Sequence, residues 1–231
     1  KSIQSFDSSY NTGEVAPQWR AYKAYACLQV GALGKALYEF TYYLTGNPDD
    51  IPMRTQRAIV QMMFGQPKVA IHDFEFIGID QMDQYAVVYY AECLYDLGDI
   101  DKAIVVLERA VRDWRYYHLK FLIEREMGNV AEAINAAESL YRDQKTFSNA
   151  IEIGSFYMDL GELKTALSYF EDAIQLDDSA ILPKILITQV RVQTLIDTKK
   201  PFDIPPSLIA DADRLGALCV PKVPGCCINK R

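Results

Sequence analysis

Histidine is scarce in this chain, with only His72 and His118 among 231 residues. Neither sits in a recognisable nucleophile or metal-ligand spacing, and no phosphate-cradling glycine loop occurs, so catalysis has little to stand on. The expectation is no catalytic residue, no metal and no cofactor. Long apolar runs are also missing, and none reaches the roughly 18 to 20 residues that cross a bilayer, which argues against direct membrane insertion. A surplus of positive charge is absent too. Twenty-four Lys and Arg stand against 31 Asp and Glu, for a net charge of −7, whereas binding a polyanion needs clustered cations that release its counterions. Nucleic acid is therefore not the expected partner. Local basic clusters, such as Arg109, Arg112 and Arg115, are interleaved with acids, here Glu108 and Asp113, and read as a solvated helix face.

Cysteine gives little more. Cys27 and Cys93 fall within helical patterns, where a buried thiol behaves as a small hydrophobe. Cys219, Cys226 and Cys227 lie in a Pro-containing tail without a Cys-x-x-Cys pair, so a zinc site is not expected there. A disulfide, acylation of the vicinal pair and unmodified surface thiols all stay open. No apolar leader opens the chain, and a cytoplasmic setting is the expectation. Because residue 1 is Lys rather than Met, an organellar or exported setting is left open as well.

What the chain does contain is repetition. Gly-x-x-x-x-Ala recurs at Gly31/Ala36, Gly65/Ala70, Gly98/Ala103, Gly128/Ala133 and Gly161/Ala166, with Gly-to-Gly steps of 34, 33, 30 and 33 residues. A period near 34 is that of a two-helix unit which buries its apolar face only against its neighbours. The Gly supplies a left-handed turn between antiparallel helices. The Ala, one turn into the second helix, lets two helix backbones approach closely. Paired carboxylates at Asp49-Asp50 and Asp177-Asp178 fall between helices and read as caps and solvating groups.

The segments Leu97 to Ala110 and Leu160 to Ala173 carry small, large and small residues at Ala103, Leu107 and Ala110, and at Ala166, Phe170 and Ala173. In this they resemble the tetratricopeptide repeats. Repeats starting near Pro17, Ile51, Gln84, Arg115 and Phe147 extend the resemblance over residues 17 to 180. Departures are visible. The small residue of the first helix, kept as Ala24, Ala58, Ala91 and Gly154, becomes Phe121 in the fourth unit, and that unit is three or four residues short between Ala110 and Gly128. Altered packing is expected there.

The resemblance implies an all-α, right-handed solenoid of helix-turn-helix repeats with C-terminal capping helices. Residues 1 to 16 form a polar lead-in, 17 to 180 the five repeats, 181 to 218 the capping helices, the second of them starting at Ser207, and 219 to 231 a cysteine-containing tail. It also implies a non-catalytic adaptor or scaffold for complex assembly, holding an extended or helical segment of a protein partner in a concave groove lined by first helices. Carried onto this sequence, that apolar, tyrosine-rich groove comprises Tyr25, Ile59, Met62, Tyr85, Val88, Tyr89, Glu92, Tyr95, Leu122, Arg125, Ile151 and Met158. The Lys, Asn and Arg with which family members hold the carboxylates of chaperone C-termini have no counterpart in any register, which argues against that ligand. The alternative is a structural subunit of a large complex that meets its neighbours through the convex face and the ends.

Overall fold

The computed structural model describes residues 18 to 197 together with Ser207 and Ala210. The lead-in, the cysteine-containing tail and all but these two positions of the second capping helix lie outside the described residues. Within them the chain forms eleven α-helices, one 3-10 turn and no strand. First helices are α1 (Gln18–Gln29), α3 (Ile51–Met63), α5 (Gln84–Asp96), α7 (Trp114–Glu126) and α9 (Phe147–Asp159). Second helices are α2 (Leu33–Gly46), α4 (Pro67–Ile77), α6 (Ile100–Leu107), α8 (Val130–Asp143) and α10 (Leu163–Leu176), followed by α11 (Leu182–Asp197). Contacts group the chain into two units, residues 1 to 136 and 137 to 231.

Helix starts and stops follow local chemistry. Asp50, Asp83, Asp113 and Thr146 each accept backbone N–H groups of the following first turn, capping α3, α5, α7 and α9. Each first helix closes in the same way. Gly31, Gly65, Gly98, Gly128 and Gly161 all have φ between 64° and 83°, and the next residue donates its N–H five residues back, as Ala32 does to Cys27 and Asp99 to Leu94. This is the Schellman closure, and only glycine takes that conformation without strain. Asp177 is the C-cap of α10, its backbone N–H donating to the Ala173 carbonyl, and not an N-cap. It accepts from the backbone and hydroxyl of Ser179, tightening the turn after α10.

In the first unit α1 packs on α2, α3 on α4 and α5 on α6, and α3, α5 and α7 lie side by side. Each core layer borrows from the next repeat. Ala24, Cys27, Ala36 and Phe40 bury together with Val60 of α3, and Ala58, Ala70 and Phe74 with Cys93 of α5. Val87, Val88, Ala91, Leu94, Ala103, Val106 and Leu107 close with Tyr116, Leu119 and Ile123 of α7. A hairpin therefore leaves apolar surface that only its successor covers. In the second unit α9 packs on α10 and α10 on α11, with Gly154 beneath Phe170.

The short repeat is located differently from the expectation. From each N-cap to the closing glycine the count is 15 residues in all four capped first helices. From Gly98 to the next cap, Asp113, it is also 15, against 18 or 19 elsewhere. The loss therefore falls on α6, which stops after eight residues, and α7 keeps its full length.

Candidate functional site

The first helices carry the candidate residues at fixed register. Their middle and late positions, nine and twelve residues after the cap, hold Ile59 and Met62 on α3, Glu92 and Tyr95 on α5, and Leu122 and Arg125 on α7. Adjacent packing of these three helices brings the six into neighbouring rows, and all but exposed Arg125 are half-buried. Tyr25, at the same register of α1, sets its ring edge-on against Phe40, with centroids 5.6 Å apart. Tyr85 stands at the first turn of α5 and is 67% exposed. Val88 is a correction: at 3% exposure it belongs to the core with Leu94, Leu119 and Ile123. Its register position points inward in α1 and α3 as well, where Ala21 and Thr55 are buried. Ile151 and Met158 are half-buried on α9, in the second unit.

Charges modulate this face around α5. The Arg115 guanidinium lies over the rings of Tyr89 and Trp114, at 4.6 and 4.5 Å, a geometry that holds the cation flat against aromatic carbon. Burial, then the neighbouring Asp96, raise the Glu92 carboxyl above the usual range, while Arg115 and His118 pull it down. Burial and a hydrogen bond to Glu126 push the Tyr95 hydroxyl up to about 12. Cys93 is inert in the fold, since burial pushes its thiol to about 12 and Sγ donates to the Pro67 carbonyl at 3.3 Å. Among the described residues no group of three or more His, Cys, Asp or Glu is arranged to hold a metal ion, and no helix is long and apolar enough to cross a membrane. His72 is exposed and His118 half-buried.

Several features escaped the sequence reading. Asp73, buried on α4, accepts from Arg57 Nε at 2.6 Å and from Arg57 and Arg54 terminal nitrogens at 2.7 Å. The Arg54 guanidinium stacks on Phe76 at 3.8 Å. The same device stands one repeat earlier, where Arg20 and Lys23 hold buried Glu39 at 2.8 and 2.9 Å and Arg20 stacks on Tyr42 at 3.6 Å. All four positions recur after 34 residues, and that coincidence was the available signal. In the second unit Tyr141 donates to Asp172 at 2.9 Å and meets Tyr169 edge-on, while Tyr157 stacks on Tyr169.

First helices each closed by a positive-φ glycine and followed by a second helix define an all-helical repeat solenoid among the described residues. Two segments, residues 85–114 and 150–179, match models of the tetratricopeptide repeat, which supports assigning the chain to that family. No curated protein matches it. Among solved structures it is similar to Pseudomonas aeruginosa PilF, with 19% identity and a TM-score of 0.64 over 86% of this chain and 91% of that one. A thermophilic tetratricopeptide-repeat protein of Thermus thermophilus gives 17% and 0.59 over 77% of this chain and all of the other. A chain of the APC/C Cut9–Hcn1 hetero-tetramer gives 15% and 0.65 over 87% of this chain and 40% of the other. At these identities the likeness is one of fold. It is the fold of protein-interaction scaffolds.

Proposed function

We propose that the chain is a non-catalytic adaptor whose first-helix face holds an extended or helical segment of a protein partner. The observation that carries this reading is the row Ile59, Met62, Tyr89 and Tyr95, half-buried on adjacent first helices where charged side chains would be cheaper to hydrate. Tyr and Met suit such a face, because one gives large amphipathic contact at low entropic cost and the other adapts its shape. The first helices of the first unit, α1, α3, α5 and α7, form the platform, and in the second unit α11 packs on α10 and covers it. The negative net charge supports a protein partner over a nucleic acid.

The test begins with affinity purification of the intact chain and identification of what it carries, followed by titration of that partner against Tyr85→Ala and Tyr95→Ala with melting temperatures alongside. Lost affinity of tenfold or more at unchanged stability is the expected result for at least one variant. Full affinity in both, with both folded, removes the face from the binding site. A second reading, a structural subunit docking through its second helices, draws support from Tyr38, Phe76 and Val105, which are 62%, 52% and 68% exposed on α2, α4 and α6. In that case the same titration moves with those residues instead.

A further inference from the structure

We infer that residues 2–10, which lie outside the described residues, serve as the second helix of a preceding repeat and seat on α1. The array then begins one helix before Gln18, and the first hairpin has a cap of the chain's own.

Three places on a first helix, at 12, 9 and 5 residues before its closing glycine, meet the hairpin that precedes it. Met53 and Val60 of α3 pack in the layer of Ala24, Ala36 and Phe40, and Tyr89 and Cys93 of α5 in that of Ala58, Ala70 and Phe74. Tyr116, Leu119 and Ile123 of α7 do the same with Ala91, Ala103 and Leu107. No residue at these places is exposed in α3, α5 or α7. In α1 they are Trp19, Tyr22 and Ala26, with the two rings edge-on at 6.2 Å and Tyr22 62% exposed. Among the described residues no element precedes α1. The helix thus carries an aromatic docking face whose counterparts in the next three repeats are all covered, and covering it is favourable.

Residues 2–10 match that face in register. At the 34-residue period Ser2 takes the small place of Ala36 and Ala70, Ile3 that of Leu37 and Ile71, Phe6 that of Phe40 and Phe74, and Tyr10 that of Leu44. Ser2, Phe6 and Ser9 repeat the small, large and small order of Ala103, Leu107 and Ala110. Ile3, Phe6 and Tyr10 stand at i, i+3 and i+7, the spacing that lines one side of a helix. The polar Gln4, Asp7 and Ser8 fall at the places of Tyr38, Thr41 and Tyr42, all exposed on α2. Residues 11–17, with Asn11, Gly13 and Pro17 among them, supply turn chemistry before α1. That link is close in length to the connections between a second helix and the next first helix, which run from residues 144–146 to residues 78–83. So short a tether keeps the segment at high effective concentration beside α1, which favours it over a second copy or a separate partner. Phe6 would share a layer with Ala26 as Phe40 does with Val60 and Phe74 with Cys93.

Hydrogen exchange of the intact chain, read by mass spectrometry, tests the assignment. Residues 2–10 should exchange more slowly than a free peptide of the same sequence. Phe6→Asp should abolish that protection and speed exchange in α1 by roughly tenfold or more, while unchanged exchange in α5 and α7 shows that the rest of the array is folded. Gln4→Asp, at the exposed place of Tyr38, should leave both regions as they are. Exchange of residues 2–10 at the free-peptide rate, or an α1 indifferent to Phe6→Asp, overturns the assignment. Light scattering over a range of concentrations covers the other occupant. Protection of α1 that appears only as dimers form would seat a second copy there and overturn it equally.

Discussion

Gly154 sits where α9 crosses α10, and an added Cβ would lie 2.6 Å from Phe170 Cε1. In the first two repeats the same place holds Ala24 and Ala58, buried in the layers of Phe40 and Phe74, whereas here the Phe170 ring occupies the space a methyl group would need. Gly154→Ala should therefore overpack the pair and cost about 1 to 3 kcal/mol despite alanine's better helix propensity. Denaturant unfolding would check it, and an unchanged or raised stability would mean that Phe170 moves aside freely. Gln61 is the opposite case. It is buried in α3 and its Oε1 has no hydrogen-bond partner among the described residues, while the equivalent place in α5 holds Leu94. Replacing Gln61 with Leu removes an unsatisfied acceptor and should raise stability by about 1 kcal/mol in the same measurement. A loss instead would show that the amide is solvated in the fold.

At the scale of the element, the charged clamps of the first two hairpins are the least expected feature. Removing one partner of a buried pair leaves the others uncompensated, so Asp73→Ala should cost about 3 to 5 kcal/mol. The third repeat shows how the same places are filled without charge, by Val87, Tyr90 and Val106. Combining Arg54→Val, Arg57→Tyr and Asp73→Val should accordingly recover most of that loss when melting is followed, and a triple variant as unstable as the single one would show that the ions themselves specify the hairpin. The hairpins were legible in the sequence because glycine at the turn and aspartate at the cap are demanded by backbone geometry and recur in register. The clamps were not, because Arg20, Lys23, Arg54 and Arg57 at helical spacing look like any solvated face until Glu39 and Asp73 are seen to be buried. The short α6 was misplaced for a related reason. A deletion shows in the Gly-to-Gly step, but only the cap at Asp113 reveals which helix lost the turn. Of the candidate site, aromatic and methionine content singled out positions on the first helices, whereas the inward register of Val88 depended on how α5 meets α7.

For the whole molecule, the acidic balance, the scarcity of histidine and the repeat architecture all favour a surface that works by contact. Two faces compete for that role. One is the row of Ile59, Met62, Tyr89 and Tyr95 on first helices; the other is the exposed set Tyr38, Phe76 and Val105 on second helices. A partner that needs the first-helix face should be sensitive to truncation of the apolar row, while second-helix substitutions leave it unchanged. Site-specific photo-crosslinking decides between them most directly. A photoreactive side chain is placed singly at Met62, Tyr95, Tyr38 and Val105 of the otherwise intact chain, with the purified partner present. The account predicts adducts at Met62 and Tyr95 that fall away when the apolar row is truncated, and none at Tyr38 or Val105. Adducts at Tyr38 and Val105 with none at Met62 and Tyr95 would contradict it.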